Sequence, residues 1–321
     1  MPGKSAGNIR NTLGGATMGT AWQAVIHAPA GRDLSAVQAA MAAAVGQVDA
    51  QMSTYQAGSD VNRLSAAAPG VWIDLPRHLV AVLARGLQIG VQSGGAFDLG
   101  LGDAVEAWGF GPAPASEAAI VAARGAARLP AHQVLDLDVD GARALKHGAM
   151  RFDLNGIAKG YGVDRLAEVA LSFGLTRALV SIDGELRALD GHPDGTPWAV
   201  AVELPEHDRH GPHAVVELVD AAIATSGDYR HWVQAGARRL SHTMDPALGL
   251  PLLQSPASVS VLAPDCASAD AWATAFMVLG EGKGMALAQA LGLSVLFLTR
   301  EGTQIRAAGT GAFARDLAKQ A

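Results

Sequence analysis

Asp270 and Thr274 stand four residues apart in the stretch Ser268-Ala-Asp-Ala-Trp-Ala-Thr-Ala-Phe-Met-Val-Leu-Gly280. On a helix that spacing places both side chains on one face. Their neighbours Ala271, Trp272, Ala275, Phe276, Val278 and Leu279 are apolar. A carboxylate and a hydroxyl leaving an apolar helix together need partners. A hard cation such as magnesium satisfies both, because it takes oxygen ligands and few protein groups. The same residues also read as an ordinary helix start, with Ser268 as N-cap, Asp270 against the helix dipole and Thr274 bonding back to its own turn.

Further polar clusters hold candidate chemistry. Asp153-Leu-Asn-Gly-Ile-Ala-Lys159 joins a strand-like entry to a helix through Gly156. Backbone groups there can face an anion or a metal, and Lys159 can reach a phosphate as a point charge. The spacing and terminal Ser/Thr of a Walker loop are absent, so the alternative is a capped helix start with a surface lysine. Ser181-Ile-Asp-Gly-Glu185 ends a strand in two carboxylates around a glycine, which a solvated turn also explains. Thr225-Ser-Gly-Asp-Tyr-Arg230 has hydroxyls beside a glycine, as a turn or helix cap would. Ser241-His-Thr-Met-Asp-Pro-Ala-Leu-Gly249 sets His242 near Asp245 in a Pro/Gly-bounded loop, a pattern that suits a general base. His207, His210 and His213 lie in a polar loop without the helix-supported spacing of a zinc site.

The elements that must position these residues follow from composition and periodicity. The chain has 321 residues, 50% hydrophobic and 17% charged, which is enough for a sizeable core. Its formal charge of −6 and lack of a Lys/Arg cluster exclude the basic face that a nucleic-acid partner needs. The single cysteine, Cys266, excludes an intrachain disulfide and a thiolate metal site, and reads as a small apolar filler. No run reaches the roughly 18 apolar residues of a membrane span. The first residues carry no apolar signal core, so the chain is expected to be cytoplasmic, or exported with its leader outside this sequence.

Thr20 to His27 alternates as a strand, and Val37, Met41, Val45, Val48 and Met52 mark a helix. A second helix begins near Pro76 and stops at Gly94-Gly95. The Ala-rich segment from Pro112 to Pro130 is partly helical, and Val134 to Met150 reads as a hairpin turning at Asp140-Gly141. A helix follows Lys159 and ends at Gly174. Strands are expected at Ala178–Ile182, Trp198–Leu204, Ala214–Val219, Ala222–Thr225, Ser258–Ala263 and Leu293–Thr299. Without steady βαβ alternation, the class is α+β with mixed or antiparallel sheets and helical layers. Residues 1–16 read as a flexible N-terminal segment and 17–321 as a single domain.

Taken together and in order, the clusters resemble the FAD:protein FMN transferase family, the ApbE-like flavin transferases. The matching pieces are Thr17-Met-Gly-Thr20, Met52-Ser-Thr-Tyr55 with Ser59-Asp-Val-Asn62, Gly95-Ala-Phe-Asp98, Trp108-Gly-Phe-Gly111 and Asp153 to Gly160. Asp183-Gly-Glu185, Ala224-Thr-Ser-Gly-Asp228, Ser241 to Pro246 with Gly249, and Ala269 to Thr274 complete the set. The resemblance implies an ApbE-like α+β fold, FAD as substrate and Mg2+ as cofactor. It implies transfer of FMN to a threonine or serine of an acceptor flavoprotein, with release of AMP. By position, the metal ligands fall on Asp270, Thr274 and the Gly156 carbonyl, and flavin contacts on Met18, Tyr55, Ala96, Phe97, Asp98, Asp153, Lys159 and Met244. His242 matches the base toward the acceptor hydroxyl, and catalysis is assigned to His242 and Asp270.

Two positions depart from the family pattern. Asp183 replaces the first glycine of a Gly-Gly pair before the acid at 185, and Ala273 stands where some relatives carry a second Asp. These departures keep two alternatives open: a non-catalytic FAD-binding maturation factor, and a pyrophosphatase that splits FAD to FMN and AMP. Most relatives are exported, often as lipoproteins, which would place this chain in the periplasm or at a membrane.

Overall fold

The computed structural model describes residues 7–125, 128–206, 211–228, 232–235, 238–302 and 304–320. His207, His210, Tyr229 and Arg230 of the sequence clusters lie outside them.

The chain opens with a hairpin of β1 (Asn8–Thr17) and β2 (Thr20–Pro29), then the helices α1 (Ser35–Met52) and α2 (Asp60–Ala66). Next come β3 (Trp72–Asp74), α3 (Arg77–Gln92), α4 (Gly102–Ala107), α5 (Glu117–Gly125) and α6 (Ala131–Val134). The hairpin β4 (Leu135–Asp138) and β5 (Arg143–Lys146) leads to α7 (Ala158–Ser172). Then follow β6 (Ala178–Ile182), β7 (Glu185–Leu189), β8 (Trp198–Glu203), β9 (Pro212–Leu218) and β10 (Ala222–Gly227). Short strands β11 (Trp232–Ala235), β12 (Arg238–Ser241), β13 (Met244–Asp245) and β14 (Leu250–Pro251) precede β15 (Ser258–Ala263). The chain closes with α8 (Cys266–Leu291), β16 (Ser294–Glu301), β17 (Gln304–Gly309) and α9 (Gly311–Gln320).

Among the described residues the main sheet has eight strands in the order β1-β2-β6-β7-β10-β15-β16-β17, every neighbour antiparallel. This is the expected α+β class. Alternation along β2 explains its two covered faces. Ala24 and Ile26 point into a cluster with Val37, Met41 and Val45 of α1 and Val163, Leu166 and Ala170 of α7. Val25 points the other way, into a cluster with Trp198, Val200, Val216 and Leu218 of the β8–β9 ribbon and Phe313 of α9. A third cluster joins α3, the 97–99 turn and α8 through Leu79, Leu83, Phe97, Leu99, Trp272 and Phe276. Each such large apolar side chain contributes roughly 1.5–3 kcal/mol on burial.

The structure moves several expected boundaries. Strand β1 begins at Asn8, ahead of the expected domain start at Thr17, because its backbone pairs along β2 from Asn8↔Pro29 to Thr17↔Thr20. Helix α8 is capped by Asp265, whose carboxylate accepts from the Ser268 N–H at 2.8 Å; Ser268 itself lies inside the helix. Gly280 interrupts α8 with φ 68° and ψ 174°, after which helical structure resumes and runs to Leu291. Among the described residues no helix is long and apolar enough to cross a membrane.

Candidate active site

Helices α7 and α8 meet at their N-termini, and small residues let them touch. A Cβ at Gly160 would sit 2.3 Å from the Cys266 carbonyl oxygen and 2.8 Å from Asp270 Cβ. A Cβ at Gly156 would sit 2.9 Å from Thr274 Oγ1 and 3.3 Å from Phe97 Cε2. Glycine at both positions is what brings the 153–160 segment against the Asp270/Thr274 face. Asp270 is buried and accepts from the Gly160 N–H at 3.0 Å. Thr274 Oγ1 lies 3.2 Å from Ser226 Oγ of β10, rather than folding back on its own turn.

Lys159, the second residue of α7, turns toward β7. Its Nζ lies 2.9 Å from Glu185 Oε1 and 3.3 Å from Asp183 Oδ2. The lysine read from sequence as a free phosphate contact is therefore already paired. Burial alone would lower its pKa, but Glu185, Asp270 and Asp183 outweigh burial and hold the ammonium above its ordinary value. Burial pushes the Asp270 carboxyl up to about 6, against the pull of Lys159 and the Gly160 N–H. Burial likewise raises Glu185, with Lys159 opposing and Asp270 adding to the rise. One ammonium thus faces three carboxylates, and Glu185 Oε2 is buried with no hydrogen-bond partner in the structure.

That surplus of negative charge in a partly dry pocket suits a cation. Among the described residues no group of three or more His, Cys, Asp and Glu is arranged to hold a metal. A cation here would draw on hydroxyl and carbonyl oxygens as well as carboxylate, which is the donor set of a hard ion. The residues present fit one.

Two-residue hairpin turns flank this cluster, and both use left-handed backbone. Met18 and Gly19 join β1 to β2 with φ 45° and 71°. Asp183 and Gly184 join β6 to β7 with φ 51° and 105°. Such turns require positive φ at both central residues, and after glycine Asn and Asp tolerate it best. Asp183 therefore keeps the turn that a Gly-Gly pair would make, and its carboxylate faces Lys159. Met18 is the costlier case, a long side chain held at positive φ. Ala273, the other departure, is fully buried in the main apolar cluster rather than exposed beside Asp270.

A cavity of about 890 Å³ opens beside these groups. Its lining includes all of the sequence-derived candidates: Met18, Tyr55, Ala96, Phe97, Asp98, Asp153, Gly156, Lys159, His242, Met244, Asp270 and Thr274. Phe97 is buried, its N–H donating to Ser93 Oγ at 3.1 Å. Asp98 is held by its own loop and by the start of α6, its carboxylate accepting from the Gly100 N–H at 2.8 Å and the Ala131 N–H at 3.1 Å. Burial raises its pKa against those bonds. Asp153 is pushed up to about 6 by burial, with the Asn155 and Leu154 N–H groups opposing. Tyr55 is 60% exposed and donates from its hydroxyl to the Phe110 carbonyl at 2.9 Å. The Phe110 ring stands edge-on to His242 with centroids 6.3 Å apart. Asp245, the neighbour suggested for His242, accepts from the Ala247 and Leu248 N–H groups at 2.9 and 3.2 Å.

Sequence reasoning passed over some of the lining. Asp49 and Gln56, bonded at 2.6 Å, line the cavity beside Tyr55. Ser226 and Phe110 lay inside recognised motifs, yet their roles as partners of Thr274 and Tyr55 are visible only once distant segments are brought together.

Comparisons with known proteins identify the family. The profile of the ApbE family matches residues 18–297. An FAD:protein FMN transferase of Vibrio cholerae is 33% identical, over 90% of this chain and 87% of the relative. One from Escherichia coli K12 is 30% identical, over 95% and 88%. The solved flavin transferase ApbE of Vibrio cholerae superposes with a TM-score of 0.85 at 32% identity, covering 96% of this chain and 99% of that one. The apo flavinyl transferase ApbE of Pseudomonas stutzeri gives 0.85 at 36% identity, covering 96% and 97%. Sequence profile, relatives and fold coincide: this chain belongs to the ApbE family.

Proposed function

We propose that this protein moves the FMN moiety of FAD onto a threonine or serine hydroxyl of an acceptor protein, releasing AMP. The reading rests on one observation: a cavity of about 890 Å³ is lined by a carboxylate–lysine cluster, a histidine and apolar side chains together. Such a cavity suits a ligand with a planar apolar ring system and a charged diphosphate.

In the reaction, the acceptor oxygen attacks the FMN phosphorus. The bond from that phosphorus to the bridging oxygen breaks, and the oxygen leaves with AMP. The hydroxyl proton passes to His242, since threonine is a poor nucleophile at neutral pH. Asp270, Thr274 and the Gly156 carbonyl would hold a magnesium ion, which supplies charge compensation to the diphosphate oxygens. Lys159 adds positive charge on the same side, and its pairing with Glu185 and Asp183 fixes its position. Tyr55, Phe97, Met18 and Met244 pack the ring system and orient the phosphorus toward the acceptor.

The test is to incubate the protein with FAD, magnesium and an acceptor protein, then weigh the acceptor and assay AMP. A mass gain equal to an FMN phosphoester, with equimolar AMP, is expected. FMN appearing without acceptor would identify a pyrophosphatase, and bound FAD with no AMP a non-catalytic binder. Asp270→Ala should abolish transfer; full activity in that variant would refute the metal assignment.

A further inference from the structure

Asp164 is not part of the cavity lining, yet it is 5% exposed and fully bonded. It lies one helical turn beyond Gly160 on α7, so the two share a face. Its Oδ1 accepts from the Cys266 N–H at 2.9 Å, and its Oδ2 from the Ala267 N–H at 2.9 Å. These are the first two residues of α8. Asp265 takes the next N–H, from Ser268, and its carbonyl takes that of Ala269 at 3.2 Å. The opening donors of α8 are thus all satisfied, two of them from another helix.

The arrangement is reciprocal. Asp270, one turn into α8, accepts from the Gly160 N–H in the first turn of α7. Asp164, in the second turn of α7, accepts from the first turn of α8. Two positive helix ends brought together would repel, and each carboxylate offsets the end of the other helix. Contacts one turn apart fix both the slide and the rotation of α8 on α7. Arg187 of β7 then holds Asp164 at 2.6 Å, on the same strand that holds Lys159 through Glu185.

We infer that Asp164 is a positioning residue: it sets the register of α8 on α7 and so brings Asp270 and Thr274 to the Gly156 backbone. The inference rests on the cation reading of that site. Partners that orient ligands from behind affect metal affinity by roughly 10–100-fold.

The experiment follows Mn2+ binding to the full chain by electron paramagnetic resonance, with FAD present and acceptor absent. Asp164→Asn should weaken Mn2+ binding by roughly 10–100-fold. It should also raise the magnesium concentration for half-maximal AMP release by a similar factor, with a smaller change in kcat at saturating magnesium. Leu166→Ala, on the same helix but in the sheet-facing cluster, should lose stability and keep parental Mn2+ affinity. Should Asp164→Asn not fold, Asp164→Glu carries the same expectation, because it keeps the charge and displaces the carboxylate by a methylene. Parental Mn2+ affinity in the Asp164 variants, or an equal loss in Leu166→Ala, would overturn the positioning role while leaving the cation site intact. Absence of Mn2+ binding by the parent, or unchanged binding in Asp270→Ala, would instead overturn the cation reading and this inference with it.

Discussion

The wall of the cavity made by α7, α8 and β7 carries its charges on regular elements, whereas the other wall takes its rings from turns and short strands. On the first, Asp270 and Lys159 are buried or half-buried and bonded across long sequence separations. On the second, Tyr55 is 60% exposed and tied by one hydroxyl bond to Phe110, and Met244 sits on a two-residue strand. The difference separates two tasks. A rigid charged wall can hold donors where charge develops in the transition state, and a looser apolar wall can admit and orient a large ring. Substitutions in the first should act on kcat or on folding, and substitutions in the second on KM.

His242, which lines the cavity with its ring edge-on to Phe110, tests that division most severely. His242→Ala should lower kcat by roughly 10²–10⁴-fold, the range for a positioned general base, with little change in KM for FAD. A KM effect alone would assign His242 to the apolar wall. Gly160→Ala comes next, because its Cβ would strike the Cys266 carbonyl and force the helices apart. A stability loss of about 3 kcal/mol is expected, read from the urea midpoint. A neutral result would mean that the α7–α8 joint is not rigid. Tyr55→Ala should raise KM for FAD by about 10-fold through lost ring contact, and leave kcat at saturation nearly unchanged.

The smallest effect concerns Asp153, whose carboxyl is raised to about 6 by burial. An acid raised on folding binds its proton more tightly in the folded state. Its penalty is absent below the unfolded value near 3.8, grows as pH rises and is complete above about 6. Because the carboxyl faces the cavity, water screens part of that penalty, leaving about 1 kcal/mol. Asp153→Asn should therefore be more stable than the parent by about that amount at pH 8, and equal to it at pH 4. An equal difference at both pH values would show that the cause is packing rather than charge.

Periodicity exposed the elements that bury one face. Helices α1, α3 and α7 and the β4–β5 hairpin lie where apolar spacing, Pro76, Gly174 and Asp140-Gly141 put them. It did not expose β1, whose mostly exposed residues carry little apolar signal and whose form comes from pairing with β2. The site divides in the same way. Asp270 and Thr274 were legible from their spacing, because helical geometry relates them directly. The pairing of Lys159 with Glu185 and the bonds from Asp164 to Cys266 and Ala267 were not, since their partners lie up to 103 residues away. The capping role also shifted from Ser268 to Asp265, as both residue types suit an N-cap and only backbone geometry chooses between them.

Cys266 sits at the joint between the two helices, wholly enclosed, and burial raises its thiol well above the usual range. As the only sulfhydryl in the chain, it is a built-in reporter. A thiol-modifying dye can reach it only when the helices part, so the labelling rate under native conditions measures how often the joint breathes. Slower labelling on adding FAD and magnesium would make ligand-induced tightening visible without introducing a probe.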